Sequence, residues 1–576
     1  MDAKRQFPVV LIKPSHYDDD GYVIQWFRSA VPSNSLAVVN GLAVDCAQRR
    51  VLGDDVEITV SSFDEDNTRI RPGRIARQFS GKSGLVMLVG VQSNQFPRAM
   101  DIARPLRAAG LQVCIGGFHV SGCLSMLGGI TPELQEALNL GISLFAGEAE
   151  QGRMDLVFRD AWRGELKPVY NYLNDLPSLE GAPVPMLPAK TIRRTIGKHT
   201  SFDAGRGCPF LCSFCTIINV QGRKSRRRTV DEIEQIVRRN LDQGVGNFFI
   251  TDDNFARNTD WEKVFDRLIQ MREQEKLHIK FMIQVDTMCH RLPHFIEKAG
   301  RAGVRRVFIG LESINTESLL GARKKQNKIA EYRKMLLMWK QAGATVFAGY
   351  IMGFPEDSPE SVIRDVHIIQ RELAIDLLEP HALTALPGSE DHQKLHKAGA
   401  FLDPDLNKYD LEHVTTKHAR MTAEQWAKLY RDTWKEFYTL EHMETTLRRA
   451  AATGIKPGHM VPILLWFHFC IVYEKIDPLQ GGVLRRKYRK DRRPTMPIES
   501  PFVFYPRFFA DLIYKHVKLA QLVWRFHWFK ERLMRDPNAK HYTDIALTPD
   551  SDTATDELEI LVPQAARNHE LVAISK

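Results

Sequence analysis

The chain contains the run GRGCPFLCSFC at residues 205–215. Its cysteines, Cys208, Cys212 and Cys215, are separated by three and then by two residues. Three thiolates from one tight loop can bind three of the four irons of a cubane cluster, and the fourth iron then stays open to another ligand. The spacing therefore predicts a [4Fe–4S] site in which these cysteines are the metal ligands and the core of the catalytic site.

Two other uses of the cysteines are weaker. A structural zinc site needs a fourth ligand, for which His199 is the candidate, and zinc sites usually pair two-residue knuckles. Disulfides are disfavoured because the chain has only 8 cysteines in 576 residues. The opening MDAKR leads into a short apolar strand and not into a long apolar signal region. We therefore expect a reducing, cytoplasmic setting.

Length and composition predict a multidomain enzyme. A chain of 576 residues suggests several domains, and 44% hydrophobic residues suffice for buried cores. The net charge is +9, and basic residues gather at 223–228 and 485–493. Such runs can bind nucleic acid, but the sequence shows no RNA-binding module and its aromatic residues cluster with aliphatic ones. Nucleic acid is therefore the less favoured partner.

Strands and helices alternate through the middle of the chain. Apolar strand segments are predicted at 248–254, 279–285, 306–313, 345–353 and 376–386. This βα repetition predicts an α/β fold with a parallel sheet rolled into a full or partial TIM-type barrel. Chemistry in such barrels collects at the carboxyl ends of the strands, where this chain has Asp252, Asp253, Gln284, Asp286, Glu312, Ser313 and Glu356.

An earlier α/β unit precedes this region. Strand segments are predicted at 86–91, 112–119 and 142–150, and the last two contain glycines at their ends. The alternation predicts a doubly wound, Rossmann-like domain, whose ligands bind beyond the carboxyl ends of the strands.

The cysteine spacing, with the aromatic Phe214 before the last cysteine, resembles the radical S-adenosylmethionine (SAM) superfamily. The resemblance implies that the open iron binds the amino and carboxylate groups of SAM. It also implies that the reduced cluster cleaves SAM to a 5′-deoxyadenosyl radical, with an electron from a partner such as flavodoxin or ferredoxin.

Further segments extend the resemblance to SAM binding. Residues 349–356, GYIMGFPE, match the family pattern GxIxGxxE, whose backbone lies against the adenine; the matching residues are Gly349, Ile351, Gly353 and Glu356. Glu312 corresponds to an acidic residue that reaches the ribose or methionine, although pairing with Arg305 or Arg306 is the alternative. Asp252 and Asp253 stand where the family holds the SAM amino group, but the Gly-Gly-Glu of many members is missing. Residues 381–389 are similar to the family element that closes the barrel.

Residues 7–179 resemble the cobalamin-binding domain of one class of radical SAM enzymes. The resemblance implies cobalamin contacts at five positions, Gly116, Gly117, His119, Gly147 and Glu148. The chain lacks Asp-x-His-x-x-Gly, so we expect cobalamin to be held without a histidine ligand from that motif. Loss of the cofactor, as in some homologous domains, remains the alternative.

These observations predict a domain order: a Rossmann-like domain (1–185), a radical SAM barrel (195–395), a helical region (396–545) that roofs the substrate cavity, and a disordered tail (546–576). The apolar segment 460–473 is shorter than the ~20 residues that span a bilayer. With the basic run 485–493 and the aromatic segments 502–509 and 524–530, it predicts peripheral contact with the inner face of an anionic membrane. A buried helix beside a solvated loop is the equal alternative.

The functional hypothesis is a radical SAM enzyme that acts on an unactivated carbon of a hydrophobic small molecule, such as a lipid or a tetrapyrrole. The resemblance implies cobalamin-dependent methyl transfer, in which methylcobalamin donates the methyl group to a substrate radical and a second SAM restores it. Radical cyclisation of a tetrapyrrole is one alternative. A non-catalytic, zinc-stabilised protein that binds RNA or membranes is the alternative from another class.

Overall fold

The computed structural model describes residues 5–79, 81–549 and 559–561. Within them the chain forms two compact units. The first unit comprises the described residues up to 280 together with 385–410 and 484–504. The second unit comprises 281–384, 411–483 and the described residues from 505 onward.

The strands are β1 Arg5–Lys13, β2 Gln25–Trp26, β3 Val56–Asp64, β4 Leu85–Leu88, β5 Gln112–Gly116, β6 Ser143–Ala146, β7 Val169–Asn171, β8 His199–Phe202, β9 Gly205–Arg206, β10 Arg226–Arg227, β11 Asn247–Ile250, β12 Lys280–Val285, β13 Val304–Glu312, β14 Thr345–Met352, β15 Leu377–Ala382 and β16 Arg485–Arg486. The α-helices are α1 Asn34–Gln48, α2 Pro72–Phe79, α3 Phe96–Ala108, α4 Phe118–Met126, α5 Pro132–Asn139, α6 Arg153–Arg163, α7 Ala189–Ile192, α8 Ile217–Val220, α9 Val230–Asp242, α10 Trp261–Glu273, α11 Phe295–Ala302, α12 Thr316–Gly321, α13 Tyr332–Gln341, α14 Pro359–Glu372, α15 Glu390–Lys397, α16 Ala423–Phe437, α17 Leu440–Ala452, α18 Pro457–Phe469 and α19 Pro501–Arg535.

The N-terminal sheet of the first unit has the order β3-β1-β4-β5-β6-β7, and its pairs are parallel. The chain passes from β1 to β3 and then returns to β4 on the other side of β1, which creates a topological switch point between β1 and β4. Strand β4, LVML, is buried throughout, as expected for a parallel strand covered on both faces. The doubly wound domain predicted from the sequence is confirmed.

The two faces of this sheet carry separate apolar cores. One core joins the sheet to α1 and α6 through residues such as Leu36 and Phe158. The other joins it to α3 and α5 through residues such as Ile102 and Leu134. Because helices cover both faces, the carboxyl edge of the strands is the part of the sheet left for a ligand.

The barrel strands follow the predicted βα rhythm. In the first unit β8 and β11 pair in parallel. Helix α9 precedes β11 in the chain and begins with a capping box, in which the side chains of Thr229 and Glu232 each accept from the other residue's backbone N–H. In the second unit β12, β13, β14 and β15 pair in parallel in that order. Among the described strands of the second unit no pairing joins β12 to β15, so these strands correspond to part of a barrel.

Helices α16, α17 and α18 build the predicted helical C-terminal region of the second unit. The Thr422 hydroxyl caps α16 by accepting from the Gln425 N–H. The apolar segment 460–473 lies mostly within α18, where Met460, Leu464 and Phe469 are buried. The predicted membrane contact through this segment is therefore not supported, because its apolar side chains pack into the protein. Among the described helices, none combines the length and apolarity needed to cross a bilayer.

Most of the predicted disordered tail, 546–576, lies outside the described residues. Within the part that is described, Glu559 pairs with Arg364 at 3.0 Å and also with Arg371 in the second unit.

Candidate active site

The cysteine loop lies in the first unit, between β9 and α8. Cys212 is buried, Cys208 and Cys215 are half-buried, and none of the three forms a disulfide. Backbone bonds fold the loop: the Cys208 N–H donates to Gly222 O (3.3 Å) and the Cys215 N–H to Cys212 O (3.2 Å). Burial raises the pKa of Cys215 to about 12, so iron binding would have to displace its proton. Three reduced thiols in one folded loop fit the donor set of a cluster with one open iron.

Asp252 and Asp253 support the start of this loop. The Asp252 carboxylate accepts from the backbone N–H groups of Ala204 (2.7 Å) and Gly205 (2.8 Å), and the Gly207 N–H donates to Asp253. Burial raises the pKa of both carboxyl groups to about 7. In the structure these two residues therefore position the cluster loop, a role that the sequence did not reveal.

A buried ion network lies beside the loop. Arg206 pairs with Glu148 (2.6 Å), Glu150 (2.7 Å) and Asp203 (3.1 Å), and Arg226 also pairs with Glu148. These charges hold the pKa of Glu148 below its usual range, against the opposing effect of burial. The network ties the end of β6 in the doubly wound domain to the cluster loop.

The segment after the barrel also contacts the loop. The Ser213 hydroxyl donates to Asp391 (3.0 Å), and the Asn219 amide donates to Gly388 O (2.9 Å). A Cβ at Gly122 of α4 would collide with the Pro387 carbonyl. Residues 387–391 are thus fixed to both the cluster loop and α4 within the first unit.

A cavity of about 140 Å³ opens at the carboxyl edge of the doubly wound sheet. Its walls come from the ends of β4, β5 and β6 and from the start of α1; they include Gly90, Gly116, Gly117, Gly147, Glu148, Asn34 and Ser35. Arg206, Val220 and Gln221, which flank the cysteine loop in sequence, line its other side. The predicted glycines and Glu148 therefore meet at one cavity, at the edge where doubly wound sheets bind ligands.

Gly117 shows why these positions need glycine. Its φ is +149°, and a Cβ there would overlap the backbone of Val91. Glycine is therefore required by the close approach of this turn to the Val91 backbone, and the turn forms part of the cavity wall.

His119 lies elsewhere. It is fully buried, its Nδ1 lies 3.1 Å from the Ser93 hydroxyl oxygen, and its ring packs against Phe96 at 4.5 Å. It is not among the residues that line the cavity. The structure therefore separates His119 from the other four predicted cobalamin residues.

Glu312 is at the end of β13 in the second unit. It has a φ of +63°, which is rare for a side chain of this kind, and it pairs with Lys324. The expected alternative partners were Arg305 and Arg306, but Arg305 donates to backbone carbonyls of Gly300 and Val304. The Glu312 carboxylate packs directly against Gly310, because a Cβ at Gly310 would lie 2.6 Å from one of its oxygens.

The GxIxGxxE segment forms the end of β14 and the loop after it. Gly353 has a φ of +102°, and a Cβ there would collide with the indole of Trp426. The Asp357 carboxylate holds this turn by accepting from the N–H groups of Gly353 (2.8 Å) and Phe354 (2.9 Å). Glu356 is half-buried and pairs with Arg420. Asp357 is the structural partner that the sequence pattern missed.

Strand β15 adds two further polar residues. Glu379 is in register with Gly349, and His381 with Ile351, so these side chains share one face of the sheet. Burial raises the pKa of Glu379 to about 7 and lowers that of His381 to about 4. Neither side chain has a hydrogen-bond partner among the described residues. The alternation of side chains along β15 could have placed both residues on this face of the sheet, but no sequence motif pointed to them.

The basic runs are largely used in structural ion pairs. In the first run, Arg226 pairs with Glu148, and buried Arg228 donates to the Asp203 backbone oxygen at 3.0 Å. In the second, Arg485 pairs with Asp18, and Arg493 with Asp405 at 2.7 Å. These contacts explain the runs without nucleic acid.

Comparisons with known proteins agree with this geometry. The radical SAM superfamily profile matches residues 204–369. Bacteriochlorophyllide d C-12(1)-methyltransferase of Chlorobaculum tepidum is 25% identical over 334 residues, 56% of this chain and 71% of that protein. The hopanoid C-2 methylase of Rhodopseudomonas palustris is 22% identical over 364 residues, 62% of this chain and 66% of that protein.

Solved structures share the fold. The radical SAM methyltransferase TsrM of Kitasatospora setae, with cobalamin and a [4Fe–4S] cluster bound, has a TM-score of 0.55 at 14% identity and covers 79% of this chain and 97% of its own. The cobalamin-dependent enzyme OxsB with aqua-cobalamin has a TM-score of 0.51 at 13% identity, with coverages of 95% and 82%. Residues 204–369 thus form a radical SAM domain, and in this chain they follow an N-terminal doubly wound domain.

Proposed function

We propose that this enzyme transfers methyl groups to an unactivated carbon in a cobalamin-dependent reaction. The observation that carries the proposal is the cavity shared by the glycine edge of the doubly wound sheet and the flanks of the cysteine loop. A corrin bound at the open side of this cavity would lie beside a cluster held by the loop. Relatives named as methyltransferases favour methyl transfer over ring cyclisation.

The residues have distinct roles in this proposal. Cys208, Cys212 and Cys215 hold the cluster, while Asp252 and Asp253 orient its loop through backbone N–H groups. Bound together, the cluster, SAM and cobalamin would supply an electron, a radical source and a transferable methyl group. Gly116, Gly117 and Gly147 leave room for the corrin, and the Arg206–Glu148 pair fixes the wall between it and the cluster loop.

The second unit supplies the remaining candidate residues. The backbone at Gly349, Ile351 and Gly353 is open enough to contact the adenine of SAM, and Glu312 is the candidate partner of its ribose or methionine. Phe214 is the candidate aromatic contact in the cluster loop. Glu356 pairs with Arg420, so its role is to shape the loop after β14. We assign substrate contact to Glu379 and His381, since they share a strand face with Gly349 and Ile351.

The test uses anaerobically reconstituted protein with SAM, hydroxocobalamin and a flavodoxin or ferredoxin reducing system. We expect iron–sulfur and cobalamin absorption, release of 5′-deoxyadenosine, and methyl transfer from CD3-labelled SAM to a hydrophobic acceptor. The triple variant Cys208→Ala, Cys212→Ala, Cys215→Ala should lose iron binding, SAM cleavage and methylation, because all three depend on the cluster. A matched Cys46→Ala variant should keep them. Full SAM cleavage by the triple variant, or no cobalamin retained by wild type, would refute the proposal.

The substrate class follows from a second feature, helix α19. Its inner face is buried through Leu522, Phe526 and Phe529, while large apolar side chains elsewhere on it are exposed, among them Phe509, Ile513, Val517, Trp524 and Trp528. Basic residues accompany them, including Arg507, Lys518, Arg525, Arg532 and Arg535. An apolar face with flanking cations is suited to an anionic membrane surface. We therefore propose peripheral membrane contact through α19 and a lipid or tetrapyrrole substrate, a class that fits the relatives' names.

A further inference from the structure

A second group of metal-ligating side chains lies in the first unit, outside the cluster loop. His119 and Cys123 stand one helical turn apart on α4, and Glu133 lies in the first turn of α5. His119 and Cys123 are buried, and the side chain of Glu133 is 28% exposed. Nothing in the proposed methyl transfer uses these three residues together.

Their spacing fits a shared ion better than direct hydrogen bonds. His119 Nε2 lies 3.5 Å from Glu133 Oε1, and Cys123 Sγ lies 3.9 Å from the same oxygen and 4.0 Å from His119 Nε2. Hydrogen bonds from nitrogen to oxygen are usually 2.7–3.2 Å, which is shorter than the first distance. Tetrahedral zinc, with bonds of about 2.0–2.3 Å, places its ligand atoms about 3.3–3.6 Å apart, which is near the observed spacings.

The surrounding hydrogen bonds orient these ligands. His119 Nδ1 lies 3.1 Å from the Ser93 hydroxyl, which leaves Nε2 directed at Glu133 and Cys123. The Thr131 hydroxyl donates to Glu133 Oε1 at 2.6 Å. Metal-binding histidines and carboxylates typically have such outer partners.

The three ligand atoms form one compact group. His119 Nε2, Cys123 Sγ and a Glu133 carboxylate oxygen all lie within 4.8 Å of one another. The end of α4 is also held in place, because the Gln393 amide of α15 is bonded to the Met126 carbonyl. Three donor atoms of the types that zinc prefers therefore converge on one point in the first unit.

We propose that His119, Cys123 and Glu133 bind one zinc ion. Zinc takes nitrogen, thiolate and carboxylate ligands together, and three protein ligands leave the fourth tetrahedral position to a water molecule. The ion would connect α4 and α5. Because α4 begins at the cavity, where Phe118 and Ser121 form part of the lining, zinc would stiffen that wall.

The experiment uses the full-length protein loaded with Zn²⁺ and desalted, with zinc and iron measured by mass spectrometry. To exclude zinc at the cluster site, the measurement is repeated in the triple variant Cys208→Ala, Cys212→Ala, Cys215→Ala. We expect about one zinc per chain in both proteins. Cys123→Ser and Glu133→Gln should each weaken zinc binding at least about tenfold, the lower end of the loss that even outer-partner mutations cause. Cys114→Ser, a buried cysteine of the same domain, should bind zinc like wild type.

Cobalt substitution provides a second readout. In the triple variant, Co²⁺ should give the intense d–d absorption of a tetrahedral site with a thiolate band, and Cys123→Ser should remove that band. Glu133→Gln keeps the side-chain shape at a partly exposed position, so circular dichroism should show a normal fold even if Cys123→Ser does not fold. Absence of zinc from the triple variant, or unchanged zinc binding in folded Glu133→Gln, would overturn the proposal.

Discussion

At the residue scale, Arg206 connects two segments that the sequence places far apart. Its guanidinium pairs with Glu148, Glu150 and Asp203, and all four side chains are at least nine-tenths buried. A buried ion pair contributes little when compared with an apolar replacement, but removing one partner leaves uncompensated charge in the interior.

We therefore expect Arg206→Met to destabilise the protein by about 3–5 kcal/mol. Arg227→Gln is the matched control, because Arg227 is 44% exposed in its pair with Asp260, and exposed pairs contribute only about 0–1 kcal/mol. Urea unfolding of the anaerobic proteins measures both. Equal midpoints for the two variants would contradict a structural role for the network.

Glu379 makes a prediction about pH. Burial raises its pKa from 4.5 to about 7, so in the folded protein its protonated form is favoured. Below about pH 4.5 the carboxyl is protonated in both the folded and the unfolded protein, so its burial costs no ionisation energy. As the pH rises toward 7, the unfolded state loses its proton first, and the folded protein becomes less stable. Glu379→Gln should thus be increasingly more stable than wild type between about pH 5 and pH 8. Urea unfolding of both proteins at several pH values in this range measures the difference in unfolding free energy. A difference that does not change with pH would show that the Glu379 carboxyl is solvated.

At the element scale, the turn from β5 into α4 depends on its glycines. Gly117→Ala places a Cβ on the Val91 backbone and strains a φ of +149°. Because backbone cannot move aside as a flexible side chain does, we expect a loss of about 1–3 kcal/mol and weaker retention of hydroxocobalamin after desalting. Gly73→Ala is the control: its added Cβ would meet nothing within 4 Å outside its own helical turn, so this variant should lose neither stability nor cobalamin retention. Normal cobalamin retention by Gly117→Ala would argue against a corrin at this edge.

At the scale of the whole molecule, α19 has an apolar surface that the other described residues leave exposed. Trp524 is 69% exposed and Trp528 is 56% exposed. We expect the protein to bind anionic vesicles, and the double variant Trp524→Gln, Trp528→Gln to be released while it still cleaves SAM.

Salt should weaken vesicle binding as well, since the Debye length falls to about 3 Å at 1 M ionic strength. Phe401→Gln, which removes a comparably exposed aromatic from the first unit, should not change vesicle binding. If wild type fails to bind vesicles, or the tryptophan variant binds as well as wild type, the membrane proposal is wrong.

The sequence by itself determined the fold class and the core of the chemistry. Apolar periodicity predicts strands and helices because it reflects which face each element buries, and the cysteine spacing specifies a cluster loop because the ligands are neighbours in the chain. It also located most of the glycines at the cavity, since glycines at parallel strand ends meet at one edge.

Only the tertiary structure decided which polar groups have partners and which apolar side chains are buried. It showed that segment 460–473 is core, that α19 carries the exposed apolar surface, and that basic runs are paired with distant acids. It placed His119 in a group with Cys123 and Glu133. The physical reason is common to these cases: burial and pairing depend on contacts between different elements, which for Arg485 and Asp18 are 467 positions apart, and local patterns carry no information about such partners.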